Sequence, residues 1–253
     1  MPDVVTRRDG AGFRYEADLV SVLRGALPRL AFRHEKLSTV EVFSEVPAVH
    51  GVPDLAGVRF DFNRIADRDA AGVRPLSTDT EVRAVLAIGA GATAADIAAR
   101  AKLSPDYVRR AVLPLLSDLG WITRTVAGGV QLRPEARWVG RRVVTVEAKL
   151  RDWRKALAQA RRQQLSADAA YIALDSGTLS GIRDHLAQIA RGGIGVMAVD
   201  AELQRARVLV RPARVFDTRR HAGRALLAER SLEMMLRGTR EGQIYPVFGR
   251  SAP

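Results

Sequence analysis

Hydrophobic positions recur at helical spacing near the start of the chain and then begin to alternate with polar positions. Residues 13–27 have the periodicity of an amphipathic helix, and Pro28 is expected to end it. Residues 40–49 and 52–62 alternate as half-buried strands do. A turn at Gly51 would pair these two strands, so the pattern predicts a helix followed by a β-hairpin.

The pattern changes after a polar stretch at residues 67–75, which is expected to be a linker. Three short helical patterns and two short strands follow, over residues 78–88, 93–101, 104–119, 121–126 and 129–133. Ser104 is placed to cap the third helix, with Pro105 in its first turn. Three helices followed by a hairpin resemble a winged helix-turn-helix module.

The first pattern then resumes as alternating strands and helices. The strands are predicted at residues 142–150, 169–174, 195–200 and 206–210, and the helices at 152–165, 179–190 and 219–236. We therefore predict an α/β fold whose mixed central sheet is flanked by helices and interrupted by a small winged-helix domain. The α/β domain would comprise residues 1–75 and 135–253, and the inserted domain residues 76–134.

The strand at residues 142–150 ends on two opposite charges that share one face. Glu147 and Lys149 are two residues apart, so both side chains project to the same side of the strand. A glutamate there can hold a divalent cation, and the lysine can polarise a water or steady a phosphate oxygen. Asp54 begins the preceding strand and reaches the same cation if the two strands are neighbours. Two carboxylates and a lysine around Mg²⁺ suffice for phosphodiester hydrolysis.

These residues resemble the signature of the PD-(D/E)xK nuclease superfamily. The signature stands here as Pro53-Asp54 and Glu147-Ala148-Lys149, in the order helix, hairpin, strand, helix, strand. The resemblance implies a restriction-endonuclease-like core over roughly residues 11–62 and 140–200. It also implies Glu16 as a further metal ligand and Gln159, in the helix after the motif, as a member of the catalytic set. The long separation of Asp54 from Glu147 departs from the family pattern, and the inserted module accounts for it.

Each of these residues also has a purely structural interpretation. Glu147 and Lys149 can be a solvated strand end, and Asp54 can cap a turn after Pro53. Glu16 and Gln159 can be exposed helix residues.

Composition removes several other kinds of site. The chain has 253 residues, no cysteine and four histidines, none at ligand spacing, which excludes disulfides and thiolate zinc and disfavours a histidine zinc site. Carboxylates would therefore hold a hard cation, Mg²⁺ or Mn²⁺. No glycine-rich phosphate loop followed by Lys-Ser/Thr is present, so no nucleotide cofactor is expected. No membrane span or signal peptide is recognisable, and a cytoplasmic location is expected.

The positive charge is concentrated around the Glu147–Lys149 motif. The net charge is +12, and residues 136–220 hold 17 basic and 8 acidic side chains, a net +9, whereas residues 76–135 carry only +1. Such a surface suits a polyanion, here double-stranded DNA, although an Arg-rich solubilising surface is the alternative. Candidate DNA contacts near the motif are Arg151, Arg154 and Lys155. Those expected on the third inserted helix and on the wing are Ser104, Tyr107, Arg109, Arg110 and Arg124.

The sequence thus favours a metal-dependent DNA endonuclease, with alternatives left open. One alternative is a catalytically inactive DNA-binding regulator built on a nuclease-like scaffold. Another is an RNA nuclease, or a nuclease subunit that needs a partner in a defence or transposition system. The inserted module can also be a protein-contact module, and the last helix can cover the core or form a homodimer contact.

Overall fold

The computed structural model describes residues 12–213 and 221–242, and it has the expected α/β architecture around one mixed six-stranded sheet. The strand order is β1-β2-β5-β6-β7-β8. The strands span Val40–Ser44, Leu55–Phe60, Gly140–Lys149, Ala169–Asp175, Ile194–Asp200 and Arg205–Val210. Parallel pairing joins β5 to β6 and β6 to β7, and the other neighbours are antiparallel. The predicted mixed sheet is therefore confirmed.

Helices cover both faces of this sheet because its strands alternate their buried side chains between the two sides. Helix α1 (Glu16–Ala31) packs on one face, against Val144, Val146 and Ala148 of β5. Helices α7 (Trp153–Gln163) and α8 (Leu186–Arg191) cover the parallel strands on the other face. Helix α9 (His221–Leu236) completes that second layer over β1, β2 and β5. Residue 219, where the last helix was predicted to begin, lies outside the described residues.

Two expectations about the first third of the chain are wrong. Helix α1 passes through Pro28 and ends only at Ala31, because Pro28 lies in its last turn and the buried Ala31 keeps that turn on the core. The polar stretch after β2 begins as a helix and not as a linker. Helix α2 occupies Phe62–Ala70, and the Asp61 side chain caps it by accepting a hydrogen bond from the Arg64 amide. Its polar sequence folds as a helix because Arg68, 2% exposed, is paired inside the protein.

After α2, the chain between β2 and β5 has three further helical stretches and a two-stranded sheet, in the predicted order. Helices α3 (Asp79–Ala87) and α4 (Ala94–Ala101) begin with capping boxes at Thr78 and Thr93. Helices α5 (Pro105–Tyr107) and α6 (Leu113–Asp118) are joined by a π-helical turn at Val108–Val112. Strands β3 (Ile122–Arg124) and β4 (Val130–Leu132) pair antiparallel. One apolar cluster, centred on Trp121, joins these elements and also contacts Ala225 and Leu226 of α9.

This segment leaves and re-enters the sheet at a single point. Phe60, the last residue of β2, pairs with Gly140, the first residue of β5. The two ends of residues 61–139 are therefore neighbours, and the segment extends from one edge of the β2–β5 pair without separating the two strands.

Residues 179–190 were predicted as one helix, but the structure has a 3₁₀ stretch at Ser176–His185 followed by the short α8. Within the described ranges, no helix combines the length and apolar character needed to cross a membrane.

Candidate active site

Four charged side chains meet at one end of the sheet, where three separate elements begin or end. Glu147 and Lys149 lie at the C-terminal end of β5, and Asp54 immediately precedes β2. The last recorded β2–β5 pair is Leu55 with Val146, so Asp54 stands beside Glu147 across the two strands. Glu16 is the first residue of α1, which packs on the opposite face of β5. The structure thus brings together Glu16, Asp54, Glu147 and Lys149.

The amine of Lys149 lies at the centre of this group. Its Nζ is 2.6 Å from Oε1 of Glu16, 3.3 Å from Oε1 of Glu147 and 3.7 Å from Oδ2 of Asp54. It also donates a hydrogen bond to the carbonyl oxygen of Ala148. One positive charge therefore faces three carboxylates, and the group has an excess of negative charge.

Asp54 is fixed by the backbone of the neighbouring strand. Its Oδ2 accepts a hydrogen bond from the amide of Ala148 at 2.6 Å. Burial raises the pKa of Asp54, and the charge of Glu16 adds to this, against opposing contributions from the Ala148 amide and Lys149. Its Oδ1 has no hydrogen bond among the described residues, so this oxygen is available to a ligand.

Glu147 is the most deeply buried member of the group, with 1% of its side chain exposed. Its Oε2 accepts a hydrogen bond from Nε2 of Gln163 at 2.7 Å. Burial raises the pKa of Glu147, and repulsion from Asp54 raises it further. Since its surroundings destabilise the ionised form, an additional positive charge nearby would stabilise the Glu147 carboxylate strongly.

Lys149 keeps its proton in this environment. Burial by itself lowers the pKa of a lysine, but the hydrogen bond to Glu16 and the charges of Asp54 and Glu147 outweigh it, and the net pKa of Lys149 is raised. At neutral pH, Lys149 is therefore a fixed cation and hydrogen-bond donor, not a base.

The glutamine in contact with Glu147 is Gln163, which sequence reasoning missed. Gln159 is half-buried one turn earlier in α7, and its Oε1 is buried without a hydrogen-bond partner among the described residues. The two glutamines share one face of the helix because they are four residues apart. That spacing was the available signal, since either residue can face the strand carrying Glu147.

The carboxylate oxygens of Glu16, Asp54 and Glu147 are the ligands that a hard divalent cation prefers. In this structure, however, they surround the ammonium group of Lys149. Three carboxylates from three elements supply oxygen ligands, and only one of their charges is balanced by Lys149. In the part of the chain that the structure describes, no three His, Asp or Glu side chains are spaced to enclose a metal ion. The residues that could hold one are Glu16, Asp54 and Glu147, with Lys149 displaced from their centre.

The cationic candidates next to the site are exposed at the same end of β5. Arg151 lies two positions after Lys149, and Arg154 and Lys155 lie in the first turn of α7. The guanidinium of Arg154 stacks on Trp153, 4.6 Å from the ring centroid. These three side chains provide a positively charged rim beside an acidic centre.

The candidates on the segment 61–139 are also at the surface. Tyr107, Arg109 and Arg110 project from the helical stretch that starts at Pro105, and Arg124 is exposed on β3. Arg109 and Arg110 both form ion pairs with Asp106. The hydroxyl of Ser104 accepts a hydrogen bond from the Tyr107 amide, so Ser104 caps this helix.

Comparison with known proteins adds no assignment: the chain matches no protein-family model, no curated protein and no solved structure.

Glu147→Gln is expected to raise the free energy of unfolding at pH 7 by about 1 kcal/mol. Because the folded-state pKa of Glu147 is raised above 4.5, its ionisation destabilises the fold as pH rises through that range. The new amide keeps its oxygen towards Lys149, and its NH₂ group takes the place of Oε2, which accepts from Gln163 Nε2 in the wild type. The NH₂ group can donate to Gln163 if the Gln163 amide turns over, which presents Oε1, an atom buried without a partner among the described residues. Urea denaturation should show the gain at pH 7 and little gain at pH 4. A variant less stable than wild type at pH 7 would contradict the raised pKa.

Proposed function

We propose that this chain is a metal-dependent endodeoxyribonuclease with a restriction-endonuclease-like, PD-(D/E)xK-type core. One observation carries the proposal: three carboxylates from α1, β5 and the start of β2 converge on the amine of Lys149. A surface serving only for solubility has no reason to bury Glu147 and to raise the pKa of two neighbouring carboxyl groups. The succession of α1, the β1–β2 pair, β5, α7 and β6 supports the same family resemblance.

In this mechanism, Glu16, Asp54 and Glu147 would hold Mg²⁺ or Mn²⁺. When bound, the cation would supply Lewis-acid stabilisation of charge on the scissile phosphate and lower the pKa of water. Lys149, which is protonated, donates hydrogen bonds to a phosphate oxygen and offsets negative charge there. Gln163 keeps Glu147 oriented through its side-chain amide, and Gln159, one turn earlier in the same helix, has a buried Oε1 without a partner among the described residues. The role of Lys149 is therefore electrostatic.

Double-stranded DNA is the proposed substrate, and the exposed cations next to the site are proposed to bind its phosphate backbone. Arg151, Arg154 and Lys155 are positioned beside Lys149, so phosphates held by them lie next to the acidic centre. Their charge offsets the repulsion that the carboxylates exert on an approaching backbone.

We further propose that residues 76–134 form a winged-helix domain inserted into an α/β domain of residues 1–75 and 135–253. Its order of elements and its own apolar cluster support this division, although α9 contributes to that cluster. The helical stretch with Tyr107, Arg109 and Arg110 would face DNA, with Arg124 on the wing. The ion pairs with Asp106 reduce the net positive charge of this helix, so we expect the module to bind DNA more weakly than the cations beside Lys149 do.

A second candidate function is a DNA-binding regulator with an inactive nuclease-like core. The observation in its favour is that Lys149 already pairs with all three carboxylates, leaving no metal-enclosing arrangement among the described residues. A permanent ion-pair cluster of this kind can be purely structural.

The deciding experiment is cleavage of supercoiled plasmid by the full chain. We expect nicking or linearisation with Mg²⁺ or Mn²⁺ and none with EDTA. Asp54→Asn keeps the hydrogen bond from the Ala148 amide through its side-chain oxygen but lacks the charge, so it should lose at least about 100-fold in rate. Retardation of DNA in gels without cleavage under any metal condition would favour the regulator. Full activity of Asp54→Asn would refute the proposed carboxylate role.

A further inference from the structure

A second charged cavity lies at the opposite end of β5 from the acidic centre. It has a volume of about 410 Å³ and is open to solvent. The residues at its rim include Arg141 and Arg142, which begin β5, and Arg33, Arg59 and Arg211. Arg142 and Glu147 are five positions apart on β5, roughly 17 Å at the rise of a strand, so the cavity is distinct from the proposed active site.

The acidic residues at this cavity are already engaged. Glu35 forms ion pairs with both Arg59 and Arg142. Asp168 accepts hydrogen bonds from the Val143 amide and from Arg224, which is outside the cavity.

Positive charge therefore remains uncompensated at the rim. Arg141 pairs with Asp61, and Arg33 and Arg211 have no acidic partner among the described residues. Two free guanidinium groups at one concave surface favour an anionic ligand, since guanidinium matches phosphate and carboxylate geometry.

A buried tyrosine lies among these cations. Tyr171 of β6 is 1% exposed, lines the cavity, and makes no hydrogen bond with any described residue. The charges of Arg142, Arg211 and Arg33 act on it, opposing the increase in its pKa that burial causes. Its ring is fixed in place: a Cβ on Gly195 would lie 2.2 Å from Tyr171 Cδ1. A rigid donor in a cationic cavity, without a partner in the described part of the chain, is the second, independent indication of a ligand.

We propose that this cavity binds the polyphosphate group of a small molecule, with Arg33 and Arg211 pairing with its charges and the Tyr171 hydroxyl donating to a terminal oxygen. A small ligand fits better than a nucleic-acid duplex because Tyr171, which lines the cavity, is 1% exposed, and a duplex backbone does not reach a side chain so little exposed. The volume is within the range of small-molecule sites. The ligand is either an inorganic polyphosphate or a nucleoside polyphosphate, which share this chemistry.

The test is isothermal titration calorimetry on the full chain in EDTA, with tripolyphosphate and ATP as probes. We expect saturable binding of tripolyphosphate, weakened about tenfold by Tyr171→Phe and at least tenfold by Arg211→Ala. Tyr171→Phe removes a hydroxyl that has no hydrogen-bond partner among residues 12–213 and 221–242, so its melting temperature should equal that of wild type. ATP bound much more tightly than tripolyphosphate identifies a nucleotide ligand, and equal affinities identify the phosphate chain alone.

The matched control is Arg205→Ala. Arg205 is exposed at the other end of the strand that leads to Arg211, and its substitution removes the same charge. Binding should be unchanged in this variant. The proposal is overturned if neither probe binds at millimolar concentration, or if Arg205→Ala weakens binding as much as Arg211→Ala. It is also overturned if a DNA duplex competes for the site and that competition depends on Tyr171.

Discussion

Lys149→Ala is expected to reduce DNA cleavage by at least about 100-fold and, at the same time, to strengthen the response of the protein to Mg²⁺. The loss follows because the hydrogen-bond donor for the phosphate disappears. The gain follows because the ammonium group and a divalent cation compete for the same three carboxylates. A merely structural lysine predicts the second effect but not the first, so the cleavage rate is the measurement that separates the two roles.

Stability measurements separate the two effects. Without metal, Lys149→Ala leaves three carboxylates facing one another, and its melting temperature should be below that of wild type. Mg²⁺ should raise the melting temperature of the variant more than that of wild type, because ligand binding to the folded state stabilises it.

Lys36→Ala is the control for Lys149→Ala, since Lys36 is exposed and has no ion pair among the described residues. It should match wild type in cleavage and in its response to metal. Cleavage by Lys149→Ala at the wild-type rate would refute the catalytic role. If Mg²⁺ changes the melting temperature of neither wild type nor Lys149→Ala, the metal site is refuted.

Arg68→Ala is expected to lower the free energy of unfolding by about 3–5 kcal/mol. Arg68 and Glu229 are 2% and 0% exposed and form two parallel hydrogen bonds of 2.9 and 2.8 Å. The Arg68 guanidinium also stacks over Trp121 at 4.5 Å from the ring centroid. Removing one partner leaves the Glu229 carboxylate buried without its counter-charge, which is the costly case. Urea denaturation monitored by circular dichroism measures the change.

Two further variants check the cause of this loss. Arg68→Met combined with Glu229→Leu should recover most of the stability, because no charge remains buried. Recovery should be incomplete, since the Leu76 amide loses its acceptor on Glu229. Arg237→Ala breaks an exposed ion pair with Glu233 and should change the free energy of unfolding by less than about 1 kcal/mol. A loss as small for Arg68→Ala would contradict the buried pairing.

The parts of the fold that sequence predicted are those governed by local periodicity. The alternation in β5 and the apolar run in β6 predicted two strands, and the cap Ser104 marked a helix start that the structure has. The same alternation placed Glu147 and Lys149 side by side. Their meeting with Asp54 and Glu16 needed the family resemblance, because no local rule states which strands or helices are neighbours.

Long-range pairing explains what sequence reasoning missed. Helix α2 has a polar sequence, and its burial depends on Glu229, 161 positions further along the chain. The choice of Gln163 over Gln159 depends on how α7 is rotated on the sheet, which tertiary packing sets. The continuation of α1 past Pro28 similarly depends on Ala31 reaching the core.

The adjacency of Phe60 and Gly140 has a consequence for the order in which the chain folds. Pairing β2 with β5 requires closing a loop that contains all of residues 61–139. Chain entropy makes such a closure slow when the loop is disordered, because non-local contacts form only after that cost has been met. A segment that first collapses around Trp121 would bring its own ends together and shorten the effective loop. We therefore expect residues 61–139 to form their helices early in folding and β2 to pair with β5 late.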